Sequence, residues 1–215
     1  ATKQLYDQTS RRDIIENSTE KINELIGDKQ YDLGIVIAPG TDSTLSGLAF
    51  FSGGFRLVRK GGASAIADNA TIAHEIGHLF GGRHTFGSHK GSSAYDSEKT
   101  ELGSGTSVMS YGSPRDFFSL SSIERIRQRL TQVPAKAKDK TFATQAPRID
   151  HSKVKNHYTI PKGTFFQFYI PATDPDSEQL LYTVNQHDVR NGDETPITQY
   201  TIYKPTTANP VTIKT

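Results

Sequence analysis

The sequence predicts an α/β (α+β) domain with a mixed sheet, followed by a small all-β sandwich domain. In residues 1–134, apolar residues recur at helical spacing and alternate with short runs rich in β-branched residues, a pattern typical of helices packed on a sheet. Beyond residue 147 the apolar residues form short segments separated by turn residues, which favours a sandwich over 148–215. The lysine-rich stretch 135–147 is predicted as a linker.

Three segments of the first domain are predicted as helices because their apolar residues repeat every three or four positions. They are 10–26, capped by Ser10 and ended by Gly27; 68–80, capped by Asp68 and ended by Gly81; and a helix from Ser121 to Pro134, where Ser121 and Glu124 match a capping box. Such caps satisfy the amides of the first turn, and glycine tolerates the backbone conformation that closes the last one.

Short apolar runs predict the strands. In the first domain they are 33–38, 47–51 and 55–58, and in the second 157–160, 164–170, 180–184 and 199–203. The first run is rich in β-branched residues and ends at Pro39. We therefore expect that strand to be buried on both faces.

Composition excludes several classes of function. Lysine and arginine together number 25, and aspartate and glutamate 23, so the net charge of +2 gives no general attraction to nucleic acid. Cysteine is absent, which excludes disulfides and a thiolate metal site. No apolar run reaches the ~18 residues of a transmembrane helix. We expect a monomer.

Residues 74–84 carry the chemistry and have the sequence HEIGHLFGGRH. His74 and His78 are four apart on a predicted helix, so their imidazoles project from one face and suit two ligands of one zinc ion. Gly81 permits a sharp turn that brings back His84 as a third ligand. Three protein ligands leave a fourth position for water, which is typical of catalytic zinc.

Glu75 is the predicted general base. It follows His74 but points around the helix, where it can hold a water without being a ligand. Zinc in such a site lowers the pKa of the water and polarises a carbonyl, while the glutamate takes the proton. The alternative is a helix with two ordinary surface histidines. The full pattern occurs by chance on the order of once in 100,000 chains of this length, which disfavours that alternative.

The pattern His-Glu-x-x-His-x-x-Gly-x-x-His resembles that of the metzincin zinc metallopeptidases. The resemblance implies an endopeptidase with one catalytic zinc ion, acting on proteins or peptides. It also implies a turn with a methionine beneath the metal, and 107–112 (SVMSYG) looks like that turn, with Met109 as its methionine. Tyr111 matches the tyrosine with which astacin-like and serralysin-like members bind zinc or stabilise the oxyanion. Packing alone is the alternative for this side chain.

Within the metzincins, the chain is most similar to bacterial reprolysin-like (ADAM-like) secreted proteases. Residues 116–126 resemble the helix that follows the turn in those enzymes. Thr85 and Phe86 resemble both pappalysin-like and some bacterial reprolysin-like members, and pappalysin-like and serralysin-like enzymes stay alternatives. Reprolysin-like enzymes usually have aspartate in place of Thr85. The resemblance implies an extracellular protein whose mature form has lost its signal peptide.

The resemblance also implies an edge strand that pairs with extended substrate. Gly47, Leu48 and Ala49 match that strand, and an ordinary core strand is the alternative. The metzincin upper subdomain usually opens with a further strand, for which residues 1–9 are too polar. We therefore expect a processed or truncated N-terminus.

A second metal is suggested in the β-region. Asp174 and Asp176 flank a proline in a turn that resembles the acidic turn of cadherin-like and related sandwich modules of immunoglobulin type, where it can bind calcium. A solvated turn is the alternative interpretation of this single pair.

Two other functions stay open. In one, the zinc domain is an inactive or latent remnant and the β-domain serves as an adhesion or binding module. The intact Glu75 argues against it, because a binding domain needs no base. In the other, a zinc hydrolase cleaves a non-peptide amide, which a substrate profile would distinguish.

Overall fold

The structure is a computed structural model that describes seven stretches of the chain: 10–39, 45–56, 58–87, 97–131, 144–161, 163–186 and 205–213. The chain forms two compact units. The first contains Ala1–His84 and Phe118–Ala137, and the second contains Thr85–Phe117 and Lys138–Thr215. The predicted domains 1–134 and 148–215 and the linker between them stay predictions.

In the described residues, the first unit contains three helices and a three-stranded mixed sheet, which is compatible with a metallopeptidase domain. Its helices are α1 (Arg11–Ile26), α2 (Asn69–Leu79) and α3 (Leu120–Leu130). Its strands are β1 (Val36–Ile37), β2 (Gly47–Ala49) and β3 (Ala63–Ala65). The strand order is β1-β3-β2, with β1 parallel and β2 antiparallel to β3.

Helix α1 forms where the sequence predicts it. The Ser10 hydroxyl accepts a hydrogen bond from the Asp13 amide at 3.2 Å, so it caps the first turn. Gly27 ends the helix at φ +90° and donates its amide to the Asn23 carbonyl at 2.8 Å. Ile14 and Ile15 are buried on the inner face. The predicted bounds and both caps are confirmed.

Arg11 joins helix α1 to the sheet. Its side chain is fully buried. Nε donates to the Leu45 carbonyl at 2.8 Å, and the guanidinium also donates to the Ser64 hydroxyl at 2.9 Å. Since Leu45 precedes β2 and Ser64 lies in β3, this one side chain ties the outer strand to the central strand.

Three sequence predictions for this unit are wrong. Of the predicted strand 55–58, residue 57 lies outside the described residues and Phe55 belongs to a 3-10 turn at Gly53–Phe55, while the central strand that the sequence analysis missed is Ala63–Ala65. Ile37 of β1 is 38% exposed, so that strand is not buried on both faces. Helix α3 begins at Leu120 because Ser119, not Ser121, accepts the hydrogen bond of the Ser122 amide.

The second unit is built from short strands. They are β4 (His84–Phe86), which begins at the last residue of the first unit, β5 (Ser97–Glu101), β6 (Arg148–Ile149), β7 (Phe166–Phe168), β8 (Ala172–Thr173) and β9 (Val211–Ile213). In the described residues they form two-stranded sheets, β4-β5, β6-β8 and β7-β9. A sandwich of immunoglobulin or cadherin type is not confirmed.

Only part of the strand prediction for this region holds. The segment 164–170 contains β7, and 180–184 contributes the single bridge Tyr182 to Thr206. Residues 157–160 form no strand, and the predicted strand 199–203 lies outside the described residues. Among the residues that the structure describes, no helix is both long and apolar enough to cross a bilayer.

Candidate metal centre

Helix α2 presents two of the three predicted ligands. Asp68 caps it by accepting hydrogen bonds from the Thr71 amide at 2.8 Å and the Thr71 hydroxyl at 2.7 Å. The capped helix extends to Leu79, one residue short of the predicted end. His74 and His78 therefore lie one turn apart on a regular helix, with ring centroids separated by 4.7 Å.

The turn after α2 brings His84 back to the other two histidines. Gly81 has φ +84°, a left-handed conformation that L side chains rarely adopt, and its amide donates to the His78 carbonyl at 2.9 Å. The Gly82 amide donates to the Gly77 carbonyl at 2.8 Å. The chain thus reverses direction tightly, which is why a glycine stands at position 81 between His78 and His84.

The three histidines meet at their Nε2 atoms. The Nε2 atom of His78 lies 3.1 Å from those of His74 and His84, which are 3.2 Å from each other. Tetrahedral zinc with nitrogen bonds of roughly 2.0–2.1 Å places its ligand atoms about 3.3 Å apart. The triangle therefore fits one zinc ion, and these side chains can hold a metal.

The protonation of the rings also suits a metal. The Nδ1 atom of His78 lies 2.8 Å from the Gly82 carbonyl, a contact that requires the proton on Nδ1 and leaves the Nε2 lone pair available. Burial, and after it the charge of neighbouring His78, lowers the pKa of His84 to about 3. His84 is therefore neutral near pH 7, the state that a metal ligand needs.

Glu75 lies beside His74 and is buried, with 4% of its surface exposed. Its side chain packs directly on the backbone of Gly47. A Cβ atom at position 47 would lie 2.3 Å from Glu75 Oε1 and 2.7 Å from its Cγ. Gly47 does not adopt positive φ, so its backbone conformation does not require glycine. The glycine instead leaves space for the Glu75 side chain, where a Cβ atom would clash.

The segment predicted to bind substrate forms an outer strand. Gly47, Leu48 and Ala49 make up β2, which pairs with β3 on one side and has no second partner strand among the described residues. Shortly after β2, the Ser52 amide donates to the His78 carbonyl at 2.8 Å. The strand and the metal-bearing helix are therefore fixed to each other within the first unit.

Met109 and Tyr111 belong to the second unit, so their predicted roles at the metal stay predictions. Met109 is fully buried, and its carbonyl accepts a hydrogen bond from the Thr85 amide at 3.1 Å. The Tyr111 ring stacks on Phe86 at 4.8 Å between centroids, and 38% of the residue is exposed.

Sequence reasoning missed one buried carboxylate. Glu101 ends strand β5, is 1% exposed, and accepts hydrogen bonds from Thr85 and from residues 106–110. The only signal in the sequence is the density of hydroxyl residues in TELGSGTSVMS. That pattern also describes an ordinary polar loop, so it does not predict a buried cluster.

The proposed calcium turn has internal hydrogen bonds. Asp174 Oδ1 accepts from the Asp176 amide at 2.8 Å and the Glu178 amide at 3.2 Å, and Asp176 accepts from the Gln145 amide. These carboxylates stabilise the turn itself, as aspartate often does. Calcium binding stays a prediction.

A comparison with known proteins agrees with the site. The family model described as metallo-peptidase family M12B reprolysin-like matches residues 1–85. The match ends one residue after His84 and supports a metzincin-like zinc metallopeptidase. No curated protein matches the chain.

Proposed function

We propose that this chain is a zinc-dependent endopeptidase of the metzincin type. The observation that carries the proposal is the triangle of three Nε2 atoms, 3.1–3.2 Å apart, on the helix that also bears the buried Glu75. Structural zinc sites take four protein ligands, whereas catalytic sites take three and keep one position for water. The group has three members among the described residues, which supports a site of the second kind.

His74, His78 and His84 would hold the ion. When bound, zinc supplies the Lewis acidity that activates water and polarises the scissile carbonyl. Glu75 takes the proton from the attacking water and passes it to the leaving amine. Its burial keeps the carboxylate in a site of low dielectric, and the backbone of Gly47 limits the directions in which it can move.

The outer strand β2 would bind the substrate. An extended peptide can add to it as a further strand, with main-chain hydrogen bonds to Gly47, Leu48 and Ala49. Since Gly47 touches Glu75, a peptide bound on this strand would pass close to the base. Proteins and peptides are the substrates that a reprolysin-like family implies.

The finer features of the proposal come from the resemblance. Tyr111 would assist by stabilising the oxyanion, and Met109 would form the floor of the site. The resemblance supports a bacterial-type, reprolysin-like, secreted enzyme, and the absence of cysteine fits the bacterial type because animal members usually have disulfides. Zinc is the metal of the catalytic site.

The test is zinc content together with cleavage of a denatured protein, with wild type beside Glu75→Ala. General-base removal costs about 10²–10⁴-fold in rate, so the variant should keep one zinc ion per chain and lose that much activity. Glu16→Ala removes an exposed glutamate from α1 and should leave both quantities unchanged.

Two results would contradict the proposal. Equal cleavage by wild type and Glu75→Ala would exclude Glu75 as the base. Bound zinc without cleavage by either protein would favour the alternative, an inactive or latent zinc-binding remnant with an adhesive β-region.

A further inference from the structure

Glu101 is a buried carboxylate that interacts with two separate segments of the second unit. Its Oε1 atom accepts hydrogen bonds from the hydroxyls of Thr85 at 2.5 Å and Ser110 at 2.9 Å, and from the Ser107 hydroxyl. Its Oε2 atom accepts from the amides of Thr106 at 2.6 Å and Ser107 at 3.1 Å. We call these five residues the Glu101 cluster.

The hydroxyls of the cluster also contact one another. Thr85 Oγ1 lies 2.8 Å from Ser110 Oγ and 3.2 Å from Ser107 Oγ, and all four of Thr85, Glu101, Ser107 and Ser110 are at most 1% exposed. Burying a carboxylate carries a desolvation cost that an apolar side chain of equal size does not. The carboxylate instead fixes the geometry of the cluster, because each donor must point at one of its two oxygens.

Thr85 makes this cluster relevant to the histidines. It follows His84 on strand β4, and successive residues of a strand point to opposite faces. The Thr85 side chain is held by Glu101 and its amide by the Met109 carbonyl at 3.1 Å. With both groups of Thr85 fixed, the backbone that carries the His84 ring is fixed as well.

We propose that Glu101 is a positioning residue for the metal site. By binding Thr85 to the turn at 106–110, its carboxylate holds the strand from which His84 reaches the other two histidines. This inference rests on the proposed zinc site and adds a residue to it that no sequence motif contains.

The experiment measures the zinc dissociation constant of the full chain, by competition with a chromophoric chelator, and the visible absorption spectrum of the Co²⁺-loaded chain. Both are recorded well below the melting temperature of each variant. Loss of residues that orient metal ligands typically weakens affinity 10–100-fold. Glu101→Gln keeps the size but loses one acceptor, and we expect about a tenfold higher dissociation constant and an altered cobalt spectrum.

Three further variants separate positioning from general stability. Thr85→Val removes the hydroxyl at nearly constant volume and should weaken zinc binding as Glu101→Gln does. Thr85→Ser keeps the hydroxyl and should restore affinity to within about twofold. Glu98→Gln makes the same chemical change on the same strand, outside the cluster, and should bind zinc as wild type does.

A lower melting temperature for Glu101→Gln with unchanged zinc affinity and cobalt spectrum would overturn the proposal, because the cluster would then be structural only. If Glu101→Gln does not fold, the comparison of Thr85→Val with Thr85→Ser tests the proposal instead. Equal zinc affinities for these two variants would overturn it. Neither measurement depends on catalysis. A wild-type chain that binds zinc but cleaves nothing would contradict the endopeptidase and leave this inference standing.

Discussion

Two polar clusters of this chain, the buried Glu101 cluster and the partly buried histidine cluster, bring their polar atoms together in different ways. In the Glu101 cluster, both carboxylate oxygens receive hydroxyl or amide donors. In the histidine cluster, three Nε2 atoms converge to 3.1–3.2 Å, although the Nδ1 proton of His78 is already committed to Gly82. Lone pairs on neighbouring nitrogens repel unless a proton or a cation lies between them.

The difference separates a cluster in which donors surround one carboxylate from a cluster whose geometry suits a cation. A polar group that serves only the fold is fully paired, because an unpaired buried group costs about 1–3 kcal/mol. Three imidazole nitrogens that converge in this way can hold a metal ion. The histidines are therefore the candidate metal ligands, whereas the oxygens of Glu101 are taken up by the donors of its own cluster.

The largest effect is expected from removing a histidine. His78→Ala should raise the zinc dissociation constant roughly a thousandfold, since zinc sites contribute about 10–16 kcal/mol distributed over their ligands, and proteolysis should vanish. Chelator competition and the cleavage assay measure the two quantities. His151→Ala, at an exposed position in the second unit, is the matched control. Wild-type zinc affinity in His78→Ala would show that the triangle is not the site.

An intermediate effect is expected at the contact between Gly47 and Glu75. Gly47→Ala places a methyl group where Glu75 packs, and overpacking typically costs about 1–3 kcal/mol. We expect a loss of that size in the free energy of unfolding, measured with denaturant, together with reduced cleavage and unchanged zinc content.

A double-mutant cycle identifies the cause of that loss. In a Glu75→Ala background the space is vacant, so Gly47→Ala should cost much less there than in wild type. An equal cost in both backgrounds would mean that Gly47 is required for some other reason than the glutamate.

The smallest effect is expected from removing one donor of the Glu101 cluster. Ser110→Ala removes one of several donors to Glu101 and should lower the free energy of unfolding by about 1–2 kcal/mol. Zinc affinity should stay within about twofold of wild type, because the hydroxyl of Thr85 still binds the carboxylate. A tenfold loss of zinc affinity would show that the turn, and not Thr85, carries the coupling.

The parts of the molecule that were predicted correctly depend on local sequence. The meeting of the His74, His78 and His84 rings follows from a helix of period 3.6 and one glycine, so it can be predicted within a single short segment. The caps at Ser10 and Asp68 are likewise decided by residues one turn away. For these elements, the residues that determine the local structure are close neighbours in the sequence.

The parts that were missed depend on distant contacts. The strand Ala63–Ala65 has no β-branched residue and exists because β1 and β2 pair on either side of it. Glu101 becomes a buried acceptor through Thr85, sixteen positions away. Beyond residue 147 the strands are two or three residues long, too short for periodicity to place them.

The Gly82 carbonyl binds the His78 ring. It lies in the same turn that brings His84 back to the other two histidines, so the parts of the site are close together in the sequence. The outermost ligands are only ten positions apart, so closing the loop between them has a small entropic cost that grows slowly with length. The site is therefore local in sequence, and an ion can capture helix α2 and its turn before the long-range strand pairs exist. Metal binding at the proposed site would then accelerate folding as well as stabilise the product, and we expect the yield of native protein to rise with the metal supplied during synthesis.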